Sequence, residues 1–241
     1  MDLSEINPAS KRRHPWEIVR AEFFASILGR SEPAPVRCLD VGSGDAWIAG
    51  ELARAHPTWK FVCWDSGYGD SLAAAPRRAD PAGAFSFTAR PPEEAFDLVL
   101  LLDVLEHVEE EAAFLTKIVE RNVAPGGRVL VSVPAWPFLF SAHDLRLRHH
   151  RRYLPRQLRE LVASAGLRML CGGGLFASLL VARTLQKALG IPLAGAGDWT
   201  CGPVASRSAQ WLLRADCYGL RALQRWRIPG WGLSVWALCQ K

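Results

Sequence analysis

Two groups of residues in this 241-residue sequence combine types and spacings that suit chemistry. In the first, an apolar run from Val36 leads into Asp40-x-Gly42-x-Gly44-x-Ala46, and the next apolar run, Phe61 to Trp64, ends in Asp65. Gly42 and Gly44 permit backbone torsions and a close ligand approach that a Cβ would block. A carboxylate placed like Asp65 can accept hydrogen bonds from both hydroxyls of an adenosine ribose. These are the parts of a nucleotide site built from backbone amides and one acid.

The second group is the run Ser141 to Tyr153, where three histidines stand among five arginine or aspartate side chains. A histidine titrating near neutrality can take the proton of an acceptor hydroxyl. His143 is the first candidate base and His149 the next, with Asp144 to orient an imidazole. Arg151 and Arg152 can hold a substrate phosphate or carboxylate, and Tyr153 accompanies them. The bland alternative is a basic surface loop whose arginines and Tyr153 brace the following helix. Between the two groups, the apolar run Glu94 to Leu102 ends at Asp103, and Val104-Leu105-Glu106-His107-Val108 follows. His107 suits either a substrate contact or a structural hydrogen bond. No metal set is expected, because the histidines and acids show no recognisable ligand spacing.

Elements must hold these residues together. Cys38, Leu39 and Val41 have the continuous apolar character of a strand buried on both faces, and Trp47 to Ala55 reads as the helix the glycine loop opens onto. Further helices are expected at Pro15 to Leu28 and Pro155 to Ala165, the latter with proline in its first turn and Gly166 beyond its end. Strands are expected at Phe61 to Trp64, Ala84 to Thr88, Glu94 to Leu102, Arg128 to Val133, Leu167 to Cys171 and in the last residues, Gly230 to Lys241. Such strand ends line the crevice where ligands bind in an open α/β sheet. A dinucleotide loop is excluded, because Trp47 stands where its third glycine would be.

The glycine pattern resembles the D-x-G-x-G-x-G loop of class I S-adenosylmethionine-dependent methyltransferases, with Ala46 in place of the last glycine. Phe96-Asp97-x-Val99 and Val104-x-Glu106-His107-Val108 resemble the signature of the branch that includes ubiquinone and menaquinone biosynthesis enzymes. Ala124-Pro125-Gly126-Gly127 is similar to that family's turn before its next strand. The resemblance implies a Rossmann-like, seven-stranded, mostly parallel α/β sheet with helices on both faces. It also implies S-adenosyl-L-methionine as cofactor, held by Asp40, Gly42, Ser43, Gly44, Asp65, Ser66, Asp103 and His107. The run from His143 is similar to a H-D-x-x-x-x-H-x-R-R-Y pattern found in methyltransferases of glycan, polyprenyl or other lipid-linked acceptors.

On this reading, residues 1–35 form an N-terminal helical cap, 36–171 the cofactor-binding core, 172–229 a helical insertion and 230–241 the final strand. The insertion carries two helical patterns, Leu175 to Leu189 and roughly Ala205 to Trp226. On the second, Arg207, Arg214, Arg221 and Arg225 share one narrow sector while tryptophans and leucines spread over the other faces. That stripe reads either as a solvated face or as a helix lying at lipid headgroups.

The net charge of +5, with ten tryptophans, favours anionic partners. Nucleic acid is disfavoured, because no interleaved aromatic platform or separate binding module is present. Six cysteines without a CxxC pair read as reduced residues, and a cytoplasmic protein, peripheral to the inner face of a membrane at most, is expected. The activity implied is O-methylation of a small acceptor, phosphorylated or lipid-linked. Methylation at carbon or nitrogen and a non-catalytic binding or scaffold protein are the alternatives. The acceptor and the oligomeric state are not legible.

Overall fold

The computed structural model describes residues 13–29, 36–69, 83–191, 202–225 and 231–241. The basic N-terminal segment, the Pro-rich linker, most of the stretch after Asp65, most of the loop at 190–204 and Trp226 lie outside them.

Seven strands form one sheet: β1 (Arg37–Val41), β2 (Lys60–Trp64), β3 (Phe85–Thr88), β4 (Phe96–Leu102), β5 (Val123–Pro134), β6 (Arg168–Leu175) and β7 (Ser234–Gln240). Their order is β3-β2-β1-β4-β5-β7-β6, with β7 antiparallel to both neighbours and the other pairs parallel. The chain winds outward from β1 to β3 and then returns to place β4 on the other side of β1. That reversal opens a crevice at the carboxyl ends of β1 and β4, where the glycine loop and Asp103 both lie.

β4 is buried along its length apart from Asp97, whose carboxylate accepts from the Arg37 amide at 2.8 Å. It starts at Phe96 rather than Glu94, because the Glu94 carbonyl and carboxylate bond to Asn122 and Arg37 instead of a strand. β5 starts at Val123, earlier than expected, and the Ala124 to Gly127 turn survives as a register shift against β4. β6 runs on to Leu175, through three glycines. A Cβ at Gly172 would stand 2.7 Å from the Trp236 carbonyl oxygen, so only glycine lets β7 approach there.

Helices α1 (Pro15–Leu28), α2 (Trp47–Ala55), α3 (Glu111–Asn122), α4 (Ala142–Arg146), α5 (Pro155–Ser164), α6 (Ala177–Ala188) and α7 (Pro203–Arg225) cover the sheet. The sequence reading did not assign α3, which buries Leu115, Ile118 and Val119 at helical spacing in the β4 to β5 crossover. It did not assign the one-turn α4 either. Two apolar cores result, one on each sheet face. Leu213 and Cys217 of α7 enter one of them beside Phe24 of α1 and Trp236 of β7.

Two arginines of the α7 stripe, Arg214 and Arg221, face α1. Arg214 donates twice to the Glu22 carboxylate, both at 2.7 Å, and Arg221 donates to the Ser26 hydroxyl at 2.9 Å. Several large apolar side chains of α6, its C-cap and α7 are left exposed: Val181, Leu185, Leu189, Trp211, Leu212 and Tyr218 are all more than half exposed. No described helix is long and apolar enough to cross a membrane.

Candidate active site

One wall of the crevice is the β1 to α2 loop. Gly42, Gly44 and Ala46 all have positive φ, at 62°, 53° and 55°. For Ala46 this left-handed conformation carries a steric cost that a glycine would avoid. A Cβ on Gly42 would stand 2.9 Å from Val104 Cγ2. The loop is pinned from β2: the Gly42 amide donates to the Trp64 carbonyl at 2.8 Å, and the Gly44 amide donates to the Asp65 carboxylate at 2.9 Å. Asp65 also accepts from the Gly67 amide at 2.8 Å, so its side chain is fixed at the crevice mouth. Ser66 next to it is exposed. Tyr68, which the sequence reading passed over, is buried under the loop and donates to the Gly44 carbonyl at 2.6 Å. Its single proton is thereby used, so the Ser43 hydroxyl is the donor in the 2.7 Å contact between the two side chains.

Helix α1 closes this wall. Arg13 pairs with Asp45 and stacks on Trp47, while Arg20 stacks on Trp16 and pairs with Asp103. Glu17, Arg20, Asp40, Ser43, Asp45 and Trp47 line the cleft so formed. Arg20 is buried, and its Nε has no hydrogen-bond partner. Burial pushes the Asp40 carboxyl up to about 7, assisted by the negative charge of Asp65 and opposed by Arg20. Burial would also raise Asp103, but the Arg20 guanidinium outweighs it and holds that acid below its ordinary range. The signal for Arg20 was its helical spacing from Trp16, which places both on one face of α1.

The other wall is the 141–153 segment. Its centre is Asp144, whose side chain has no exposed surface. Arg152 donates to it through Nε at 2.8 Å and Nη2 at 3.2 Å, the Ser141 amide donates at 2.9 Å, and His149 Nδ1 lies 3.0 Å away. Burial alone would raise this acid; the bonds from His149, Arg152 and Ser141 more than reverse that and hold it well below the carboxylate range. An ionised Asp144 accepts from His149 Nδ1, so in the neutral imidazole the lone pair lies on Nε2. His143 lies half-buried on α4, and burial lowers its pKa, with Asp144 opposing. Asp144 thus orients His149 rather than His143.

The two arginines expected at a substrate are engaged within the protein. Arg151 pairs with Glu111 and donates to the Glu109 carbonyl at 2.6 Å, and Arg152 belongs to Asp144. Tyr153 is 3% exposed, packs in the sheet core and has a hydroxyl without a partner. His107 meets His149 edge to face, with ring centroids 4.6 Å apart. Beside them Glu106, quoted from the sequence only as part of the family signature, is fully buried with both carboxylate oxygens unpartnered. Donor atoms of Glu106, His107 and His149 lie within 4.8 Å of one another.

A family of methyltransferase domains matches residues 9–186, and this chain belongs to it. An uncharacterized methyltransferase of Mycobacterium leprae is 32% identical over 116 residues, 46% of this chain and 42% of the relative. The ubiquinone biosynthesis O-methyltransferase of Paramagnetospirillum magneticum is 34% identical over 133 residues, 48% of this chain and 51% of the relative. The match thus spans about half the length of these curated relatives. Among solved structures, the N-methyltransferase NodS of Bradyrhizobium japonicum, in complex with S-adenosylhomocysteine, superposes with a TM-score of 0.57 at 14% identity. That superposition covers 100% of this chain and 94% of NodS, and at this identity it supports the fold alone.

Proposed function

We propose that this protein transfers a methyl group from S-adenosylmethionine to a hydroxyl of a small acceptor. The observation that carries the cofactor assignment is the buried Arg20, with an unpartnered Nε, beside Asp40 under the glycine loop of a methyltransferase domain. An amino acid's carboxylate and ammonium match these two groups in sign. Asp65 keeps lone pairs for the ribose hydroxyls, and Gly42 and Gly44 admit the ligand to the backbone. Asp103 holds Arg20 in place, and α1 shields the site from water.

When bound, S-adenosylmethionine supplies an electrophilic methyl on a sulfonium. An O–C bond forms as the C–S bond breaks, with the electron pair left on sulfur, so the crevice must align the acceptor and dispose of its proton. The Nε2 lone pair of His149, oriented by Asp144, is what this wall offers for activating the hydroxyl. The O-methyltransferase relative favours oxygen as the acceptor atom over nitrogen or carbon. The exposed apolar faces of α6 and α7 suit a lipid-linked acceptor presented at the cytoplasmic face of a membrane.

The test is calorimetric titration with S-adenosylmethionine and S-adenosylhomocysteine, beside an Asp65→Ala variant and with NAD as control. Micromolar binding of the sulfur compounds that weakens at least about tenfold in the variant supports the reading. No binding by the wild-type protein overturns it and leaves a scaffold that has kept the fold.

A further inference from the structure

We propose that Glu106, His107 and His149 form a binding site for one divalent transition-metal ion, with an open coordination position toward the crevice. Their donor atoms already lie within 4.8 Å of one another. Zinc bonds of roughly 2.0–2.2 Å in a tetrahedron put donors roughly 3.4 Å apart, so the side chains need close by no more than about 1.4 Å on an ion. The sequence hides the set, because Glu106 and His107 are adjacent and His149 is far along the chain. The fold joins them through the His150 amide, which donates to the Glu106 carbonyl at 2.7 Å.

Two independent features point to a cation. Glu106 has no exposed surface, and neither of its carboxylate oxygens has a hydrogen-bond partner. Buried carboxylates are ordinarily paired or bound to metal, because an uncompensated one is costly. His149 in turn has its Nδ1 held by Asp144 at 3.0 Å, the carboxylate–imidazole arrangement that orients a ligating histidine. The 4.6 Å separation of the His107 and His149 ring centroids brings the second imidazole to the same point. Two imidazoles and one carboxylate suit zinc, cobalt, manganese or iron(II) and disfavour magnesium and calcium, which prefer all-oxygen shells.

Three protein ligands leave a fourth position, as in catalytic zinc sites. Glu106 and His107 follow Asp103 just beyond the carboxyl end of β4, so the cluster borders the crevice. Resting on the methyl-transfer reading, an acceptor hydroxyl in that position would shed its proton to solvent near neutral pH, with the His149 lone pair serving the ion rather than the proton. The binding itself needs no such reading.

The experiment is calorimetric titration of the chelator-stripped full chain with Zn²⁺ and, separately, Mg²⁺, followed by the visible spectrum of the Co²⁺ form. We expect one Zn²⁺ per chain, no comparable Mg²⁺ binding and a tetrahedral Co²⁺ band. Glu106→Gln and His149→Ala should each weaken Zn²⁺ about a hundredfold or more, and His150→Ala should leave it unchanged. Glu106→Gln keeps the size and shape of the side chain and should fold; Zn²⁺ should raise the melting temperature of the wild type and not of this variant. Absence of stoichiometric Zn²⁺ in the wild type, or its retention in both ligand variants, overturns the proposal and makes Glu106 a protonated core acid. Loss of S-adenosylhomocysteine binding with Zn²⁺ binding intact would instead remove the methyltransferase reading alone.

Discussion

Asp40 and Asp144 stand on opposite walls of one crevice, both buried; burial raises each, but hydrogen bonds and ion pairs reverse it for Asp144 alone. Asp144 is surrounded by cationic and amide donors that were assembled as the chain folded, and its charge is settled before any ligand arrives. Asp40 has burial as its dominant influence and is pushed up to about 7. The 141–153 wall is therefore preorganised by its own ion pairs. The glycine-loop wall keeps an acid whose charge a cationic ligand would complete.

The most severe break in that contrast is Asp144→Asn. The amide keeps the shape and removes the charge, leaving the Arg152 guanidinium buried against a neutral group. The expected cost is about 3–5 kcal/mol of stability, read from urea unfolding, with turnover lost as His149 loses its orienting partner. A cost under about 1 kcal/mol would mean that the pair is an incidental contact and that the two walls do not differ.

Asp40→Asn should behave in the opposite sense. Without a settled charge to lose, the empty protein should be as stable at pH 8 as the wild type, or more so. Affinity for S-adenosylmethionine should nonetheless fall about tenfold to a hundredfold, the scale of a hydrogen bond to a charged group.

The pH dependence of the empty wild-type protein sharpens the same point. Between the unfolded value near ~4 and the folded value of about 7, native Asp40 holds a proton that the unfolded chain has released. The native state then binds more protons, so the Asp40 contribution to stability falls as pH rises, by at most about 1.4 kcal/mol per unit. The groups that set this titration are Asp65, which raises it, and Arg20, which lowers it. The difference between wild-type and Asp40→Asn urea midpoints across pH 5 to 8 isolates that slope. Binding of the cationic cofactor should run the other way, tightening as pH rises toward about 7 and levelling above it.

The same contrast accounts for what could be read from the chain. The glycine loop and Asp65 are legible because their determinants are local: a glycine is demanded by its own φ, and Asp65 closes a strand. The sheet is legible because buried parallel strands leave continuous apolar runs. The 141–153 wall is less so: Arg151 pairs with Glu111, 40 positions away, and the Asp144 pairs, though local, depend on a loop geometry that no periodicity announces. Nothing near Arg151 in the sequence announces Glu111, and nothing near His149 announces Glu106. The stripe on α7 is a further case, since Arg214 meets a residue of α1.

Arg214 also gives the gentlest test, because it separates geometry from burial. Its fork on Glu22 is tighter than that of Arg152 on Asp144, at 2.7 and 2.7 Å against 2.8 and 3.2 Å. The Arg214 and Glu22 side chains are 38% and 48% exposed, whereas those of Arg152 and Asp144 are 12% and 0%. If bond geometry governed, Arg214→Ala would be the costlier change. Solvent screening predicts the reverse: about 0.2–1 kcal/mol at low salt, vanishing toward 1 M salt where the screening length is about 3 Å. Urea midpoints of this variant at two ionic strengths decide the matter. A salt-independent loss above about 2 kcal/mol would mean that the α1 to α7 contact stabilises by packing of the arginine stem, and that burial of charge is not what distinguishes the 141–153 wall.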